Sequence, residues 1–448
     1  MKGKNQVPEI QVGICSGEEI TFTLNGIFHD GSGAFSDSGR WIAGYYDNKL
    51  FLQKGEQKLT WDKTMLLEPD DIESSSFTIH AVTIGVNFHW QRKEDQVFKG
   101  NIKLIIENNM VTVVNVLSIE DYLISVISSE MKATSSGELL KAHAVITRSW
   151  LLAQIDKRIY VGNDKRKYET HFRTEDEIVR WYDREDHKNY DVCADDHCQR
   201  YQGITRASTP QVVEVIEETF GEVLSYHGAI CDTRYSKCCG GVTELFENVW
   251  EPVNHPYLQK VIDNPVAPGG YDLNINVENS AMKWILGNPD AFCNTYDKKV
   301  LSQVLNDYDQ ETNDFFRWKV SYSQDELSDL VKTRTGIDFG TVTNLVPLER
   351  GVSGRIKRLR IEGVNKTIVI GKELEIRKAL SETHLYSSCF FVEKNTDEKE
   401  TFFILYGAGW GHGVGLCQIG AAVMCAKGYT YREILTHYFR DTVLEKKY

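Results

Sequence analysis

The sequence predicts an α+β protein that combines mixed β-sheets with a few helices. From residue 8 to about 115, short apolar segments such as "EITFTL" and "VTVVNVL" are separated by Gly, Asn and Asp. Such segments, rich in β-branched residues, are typical of strands joined by turns. Residues 118 to 156 then carry apolar side chains at helical spacing. We therefore expect a β-rich N-terminal accessory region, residues 1–110, before a larger domain of residues 111–448.

Size and charge restrict the class of protein. A chain of 448 residues, 41% hydrophobic and 26% charged, is long enough for two or three globular domains. Its formal net charge of -13, from 51 basic and 64 acidic side chains, argues against nucleic acid as the main partner. The sequence contains no apolar run of membrane-spanning length, and its N-terminus shows no signal peptide.

Local signals place the helices. Ser118, with Asp121 three positions later, is predicted to cap the first helix, and a second helix is expected from Ser135 or Ser136. A glycine-rich loop near the C-terminus precedes two more helices, which are punctuated by Gly428 and Thr430.

Two stretches lack a clear pattern. Residues 157–200 are strongly polar and need something other than an apolar core to order them. Residues 264–345 are mixed in character, and we expect an insertion or a small subdomain there.

Glu130 is the first candidate catalytic residue. In "SIEDYLISVISSEM" it continues the apolar stripe of the first helix. Removal from water disfavours an ionised carboxylate, so a carboxyl group there would tend to stay protonated, as proton donation to a glycosidic oxygen requires. The alternative is a structural carboxylate at the helix end, paired with a basic residue such as Arg148.

The segment "HKNYDVCADDHC" offers two imidazoles and two thiols, those of His187, Cys193, His197 and Cys198. These donors suit tetrahedral zinc, which would order a polar segment without a core. Four protein ligands leave no open position, so the predicted zinc is structural. A Cys193–Cys198 disulfide is the competing interpretation.

Two glycine-rich motifs remain. "GAGWGHGVGLCQIG" has five glycines between Gly407 and Gly415, which allow positive φ angles and close approach of a ligand to the backbone. His412 and Cys417 within it invite a Cys–His hydrolase interpretation, and a tight structural turn is the alternative. In "TRYSKCCGGVTE", the adjacent Cys238 and Cys239 are expected to be packed or to form a disulfide with Cys231, and a redox site is the alternative.

Together and in this order the motifs resemble the SpoIID/LytB domain family, which includes stage II sporulation protein D and the amidase enhancers. The resemblance covers about residues 111–448 and is most specific in "GWGHGVGLCQIGAAVMCAKGYTYREILTHYF". It departs from the family at Cys417, where serine is usual.

The resemblance implies a lytic transglycosylase that cleaves peptide-stripped peptidoglycan strands, with Glu130 as the acid and zinc held by the His/Cys set named above. It also implies a glycan-binding cleft, a location in the cell envelope, and a separate amidase as a second partner. The alternative function is a non-catalytic glycan-binding enhancer of such an amidase. The residues expected to bind the glycan are Arg148, Tyr201, Ser236, Gly240, Gly241, Gly411, His412, Gly413 and Gln418. Of these, Arg148, Tyr201, Ser236 and Gln418 fit a structural polar role equally well.

Overall fold

A computed structural model describes residues 7–84, 91–161, 171–181, 187–195, 198–205, 209–304, 314–397 and 400–448. The fold mixes helices with strands, and the N-terminal region is rich in strands, both as predicted. The chain forms two compact units, which interleave along the sequence. The first comprises Met1–Ala144, Asp186–Glu222 and Lys446–Tyr448, and the second comprises Val145–Glu185 and Val223–Glu445.

An eleven-stranded sheet dominates the first unit. Its strands are β1 (Glu9–Gly17), β2 (Glu19–His29), β3 (Ser36–Tyr46), β4 (Lys49–Lys54), β5 (Gln57–Trp61), β6 (Thr64–Pro69), β7 (Ser76–Ile84), β8 (Arg92–Phe98), β9 (Asn101–Glu107), β10 (Met110–Ser118) and β13 (Val192–Cys193). The main path runs β13-β1-β10-β9-β6-β2-β3-β4-β5, and β7 pairs with both β2 and β8.

The sheet forms because its strands bury alternate residues. In β2 the side chains of Ile20, Phe22 and Leu24 are buried, while the threonines between them are partly exposed. At one edge of the sheet, β13 pairs in parallel with β1, which places Cys193 opposite Gly13. The helices associated with this unit are α1 (Ile119–Glu130), α3 (Pro210–Glu218) and the start of α2 (Gly137–Val161).

Four smaller sheets lie in the second unit, entirely or for the most part. Their strands are β11 (His171–Arg173), β12 (Glu177–Arg180), β14 (Glu222–Tyr226), β15 (Ala229–Ile230), β16 (Tyr235–Ser236), β17 (Arg317–Ser323), β18 (Val342–Arg350), β19 (Ile356–Gly363), β20 (Thr367–Gly371), β21 (Phe390–Thr396), β22 (Thr401–Ala408), β23 (Leu416–Cys417) and β24 (Val443–Lys446). The sheet orders are β11-β12-β20-β19-β18, β15-β14-β24, β16-β23 and β17-β22-β21.

The helices of the second unit pack beside these sheets. They are the rest of α2, α4 (Glu278–Leu286), α5 (Lys298–Val304), α6 (Gln324–Thr335), α7 (Glu373–Ala379), α8 (Gln418–Ala426) and α9 (Tyr431–Tyr438), with a 3₁₀ turn at Phe246–Asn248. A large apolar core lies between α6, α7 and the strands β18 to β22, and it includes Leu327, Leu359 and Phe403. The stretch 264–345 contributes α4, α5, β17 and α6, and β17 pairs along its whole length with β22.

Among the described residues, the helices are all too short or too polar to cross a membrane.

Candidate functional site

Helix α1 carries Glu130 as its last residue. The hydroxyl of Ser118 accepts a hydrogen bond from the amide of Asp121 at 3.1 Å, which confirms the predicted N-cap. The predicted apolar stripe is buried: Ile119, Tyr122, Leu123, Val126 and Ile127. Glu130 itself is half-buried rather than fully enclosed, because the stripe ends with the helix. Glu130 therefore retains some exposure to solvent.

A short piece of chain, residues 198–202, runs beside α1 and holds Glu130. The amide N–H of Arg200 donates a hydrogen bond to Oε1 of Glu130 at 3.0 Å. Nearby, the amide of Gln202 donates to the hydroxyl of Ser125 at 3.2 Å, so the segment is attached to the helix at two points. Pattern analysis missed this contact, since a backbone donor has no side-chain signature.

Tyr201 anchors segment 198–202 in the core of the first unit. Its ring stacks on Tyr122 with centroids 5.1 Å apart, and its hydroxyl donates to Oδ1 of Asn115 at 2.5 Å. Only 1% of Tyr201 is exposed. Burial, with a smaller contribution from the charge of Asp121, raises the pKa of Tyr201. The hydroxyl that we expected to bind a sugar is thus already paired inside the protein.

The segment begins at a cluster of possible metal ligands. Donor atoms of His187, Cys193 and Cys198 all lie within 4.8 Å of one another. The Sγ of Cys198 lies 3.5 Å from Nε2 of His187, and it accepts a hydrogen bond from the amide of Cys193 at 3.4 Å. His197, the fourth predicted ligand, lies outside the described residues. Two thiols and an imidazole are ligands that suit zinc. The N–H group that donates to the Cys198 sulfur would support a zinc-bound thiolate.

All ten cysteines are free thiols. The interpretation of Cys193 and Cys198 as a disulfide is therefore wrong, and so is a disulfide between Cys231 and the adjacent pair Cys238 and Cys239.

The glycine loop, residues 407–415, lies in the second unit. It begins with the last two residues of β22 and ends directly before β23. Positive φ angles occur at every second residue: Gly409 (75°), Gly411 (90°), Gly413 (76°) and Gly415 (73°). Such angles favour glycine, which is the use that we predicted for this motif. Arg355, which is 1% exposed, holds the loop in place, because its Nη2 donates a hydrogen bond to the carbonyl of Gly411 at 3.0 Å. A Cβ atom at Gly413 would overlap the Arg355 guanidinium.

His412 is held as a neutral imidazole. Its Nδ1 accepts a hydrogen bond from the amide N–H of Val414 at 3.0 Å. Its ring packs edge-to-face against that of Trp250, with the ring centroids 5.1 Å apart. Desolvation, followed by the positive charges of Arg234 and Arg355, lowers the pKa of His412 to about 3. Among the described contacts, none joins His412 to Cys417, so the geometry gives no support to a Cys–His hydrolase.

The remaining predicted glycan-binding residues also lie in the second unit, and most of them are buried. Arg148 is 0% exposed, Ser236 is 7% exposed and Gln418 is 2% exposed. Gly240 and Gly241 both have positive φ angles, and their backbones lie against Gly409 and Trp284.

A second set of potential ligands is fully buried in this unit. It consists of Cys239, Asp263, Cys293 and Cys417, whose donor atoms lie within 4.8 Å of one another. These residues could bind a metal ion. Sequence analysis missed Asp263 and Cys293, because a single aspartate and a single cysteine, far apart in the chain, have no ligand spacing.

Glu244 is another buried residue without a sequence signal. Its carboxylate accepts hydrogen bonds from the amides of Val352 and Ser353 at 3.2 Å and 3.1 Å, and from the Asn248 amide group at 2.7 Å. It is 1% exposed and holds the turn that precedes Arg355.

Comparison with known families agrees with this arrangement. Residues 107–226, which contain α1, the His/Cys cluster and segment 198–202, match the family described as Stage II sporulation protein, SpoIID. Residues 244–415 match a domain of unknown function, DUF8618. The chain thus contains a stretch, residues 107–226, that is similar to the SpoIID family.

Three relatives extend the likeness. An uncharacterized protein of Brachyspira hyodysenteriae is 25% identical over 76% of this chain and 70% of its own length. The stage II sporulation protein D of Bacillus subtilis is 23% identical over 74% of this chain and 75% of its own length. The amidase enhancer of the same organism is 25% identical over 52% of this chain but only 32% of its own length.

Proposed function

We propose that this protein is a peptidoglycan lytic transglycosylase of the cell envelope that uses Glu130 as its only acid and base. The observation that carries the proposal is the setting of Glu130, a half-buried carboxyl group at the end of α1 whose Oε1 is held by the Arg200 amide. The amide can only donate, so Oε1 is the acceptor of this hydrogen bond, and we assign the proton transfer to Oε2.

One carboxyl group suffices for this chemistry. Protonated Glu130 donates to the oxygen that links N-acetylmuramic acid to the next sugar, and that bond breaks. The resulting carboxylate then accepts the proton of the muramic C6 hydroxyl, which attacks the anomeric carbon and closes a 1,6-anhydro ring. No water enters, so the second carboxylate of an ordinary glycosidase is not needed.

We further propose structural zinc at His187, Cys193 and Cys198, with His197 as the fourth ligand. The bound ion would supply no reaction chemistry but would cross-link a polar stretch of chain. Cys198 directly precedes the residues that contact α1, so this cross-link would fix the Arg200 amide relative to Glu130.

The glycine loop is our candidate for glycan binding in the second unit. Gly411, His412 and Gly413, together with Gly240 and Gly241, offer backbone with little side-chain bulk for flat sugar rings. We assign Arg148, Ser236 and Gln418 to the support of this surface, since all three are buried. For Tyr201 we propose a role in holding segment 198–202 rather than a sugar contact.

The test is mass spectrometry of the products from purified, peptide-stripped glycan strands. Glu130→Gln keeps an acceptor for the Arg200 amide but cannot transfer a proton, so we expect anhydro-muramic ends from the wild type and loss of at least about 100-fold in rate from the variant. Glu138→Gln is the matched control, because that carboxylate is paired with Lys141 near the start of α2.

A different result in this experiment would indicate a different function. Reducing ends would indicate a hydrolase, with water as the nucleophile. No cleavage by either protein, with glycan binding retained, would favour an enhancer of a separate amidase, which the similarity to the amidase enhancer supports.

A further inference from the structure

We propose that Cys239, Asp263, Cys293 and Cys417 form a second, structural zinc site in the second unit, independent of the His/Cys cluster. The four donor atoms come from four separate parts of the chain, yet all lie within 4.8 Å of one another. All four residues are buried. Neither the transglycosylase proposal nor the glycan-binding surface uses them.

The spacing fits one tetrahedral ion. The sulfur atoms of Cys239 and Cys293 lie 3.7 Å apart. With zinc–sulfur bonds of about 2.3 Å, neighbouring sulfur atoms of a tetrahedral site are separated by about 3.8 Å. Three thiolates and one carboxylate fill the coordination sphere, which characterises a structural site rather than a catalytic one.

Hydrogen bonds around the donors also fit a metal site. The Sγ of Cys417 accepts the amide N–H groups of Cys239 at 3.2 Å and Gly420 at 3.5 Å, and Cys417 is the N-cap of α8. A helix N-terminus and two N–H donors stabilise a thiolate, which is the form that binds metal.

Asp263 is oriented in the same way. Its Oδ1 accepts the Tyr438 hydroxyl at 2.5 Å, and its Oδ2 accepts the Cys293 amide at 2.8 Å. Partners of this kind commonly fix a metal-bound carboxylate. A carboxyl group and three thiols packed together away from water would otherwise be a costly core.

The proposed ion would connect distant stretches of the second unit. Cys417 and Cys239 lie 178 positions apart in the sequence, and only Leu416 separates Cys417 from the glycine loop. Binding would release the thiol protons to solvent and would lock the start of α8 to the Cys238–Gly241 turn.

The test is metal analysis of the full chain after the first cluster has been removed by Cys193→Ser with Cys198→Ser. Purified without oxygen and titrated with Zn²⁺ or Co²⁺, this protein should retain about one ion per chain and show thiolate-to-cobalt absorption. Adding Cys293→Ser should abolish that ion. Adding Cys389→Ser should not, because Cys389 is a buried free thiol outside the cluster.

Two further measurements keep the proposal falsifiable if Cys293→Ser fails to fold. Asp263→Cys should still bind the ion and should show stronger thiolate-to-cobalt absorption. If Asp263 only accepts hydrogen bonds, this variant should show no additional thiolate absorption. A folded Cys193→Ser, Cys198→Ser protein without metal would overturn the proposal. So would a Cys239–Cys293 disulfide found after direct alkylation of the unfolded chain.

Discussion

Gly413 lies where two constraints on one residue coincide. Its φ angle of 76° is in the left-handed region, and the space for a side chain is taken by the guanidinium of Arg355. Several other glycines with positive φ angles meet only the first of these constraints. Gly228, in the turn between β14 and β15, has a φ angle of 82° but open space around it.

We therefore predict that Gly413→Ala destabilises the protein by about 2–4 kcal/mol, from backbone strain and from displacement of Arg355. Gly228→Ala should cost about 1–2 kcal/mol, from strain alone. Chemical denaturation of both variants measures the difference. Equal losses would mean that Arg355 moves aside freely and does not fix the loop.

For Glu130, the sequence pattern predicts the position on the helix but not the surroundings of the side chain. Helical spacing identified its face of α1 correctly, because periodicity is a local property of the chain. Its exposure was not predictable, since this depends on which segment passes the helix end. The Arg200 amide, which holds Oε1, could not be found for the same reason.

Capping was the most predictable feature among the elements. Ser118 caps α1, and Thr430 caps α9 with a full capping box that includes Glu433. These interactions join residues three positions apart, so the local sequence determines them. In contrast, the two-residue strand β13 forms only because β1 offers it an edge, and its sequence has no strand signal of its own.

Segment 198–202 allows a test of metal removal at the level of an element. Tyr201 N–H donates to Ala194 O at 3.0 Å, and Arg200 N–H donates to Glu130. If zinc at the His/Cys cluster orders this segment, chelation or Cys193→Ser should speed hydrogen exchange of these two amides at least about tenfold. A tenfold change corresponds to a loss of about 1.4 kcal/mol in the free energy of local opening.

Hydrogen-exchange mass spectrometry makes this measurement, with Cys15→Ser as the control. Cys15 is a free thiol on β1 of the same unit and is not a member of the His/Cys cluster. Unchanged exchange after chelation would mean that the packing of Tyr201 alone orders the segment.

At the scale of the whole molecule, the sequence did not predict the buried Cys/Asp cluster, because its residues come together only in the tertiary fold. The buried Cys/Asp cluster combines residues from four stretches of the second unit, including a stretch that looked unpatterned in the sequence. Motif analysis detects ligands when they are close in the chain, as in the segment from His187 to Cys198. Ligands that only the tertiary fold brings together leave no such trace.

The net charge of -13 leads to a prediction for the entire chain. A glycan strand that has lost its stem peptides keeps the lactyl carboxylate of each muramic acid, so it is an anionic polymer. A strongly acidic protein should therefore be repelled by such a strand at low ionic strength. Raising the salt concentration from about 0.01 M to about 0.15 M shortens the screening length from about 30 Å to about 8 Å. We expect this change to increase the initial cleavage rate on peptide-stripped strands several-fold. A rate that falls with salt would mean instead that local basic residues attract the glycan, so that the overall charge does not govern the encounter.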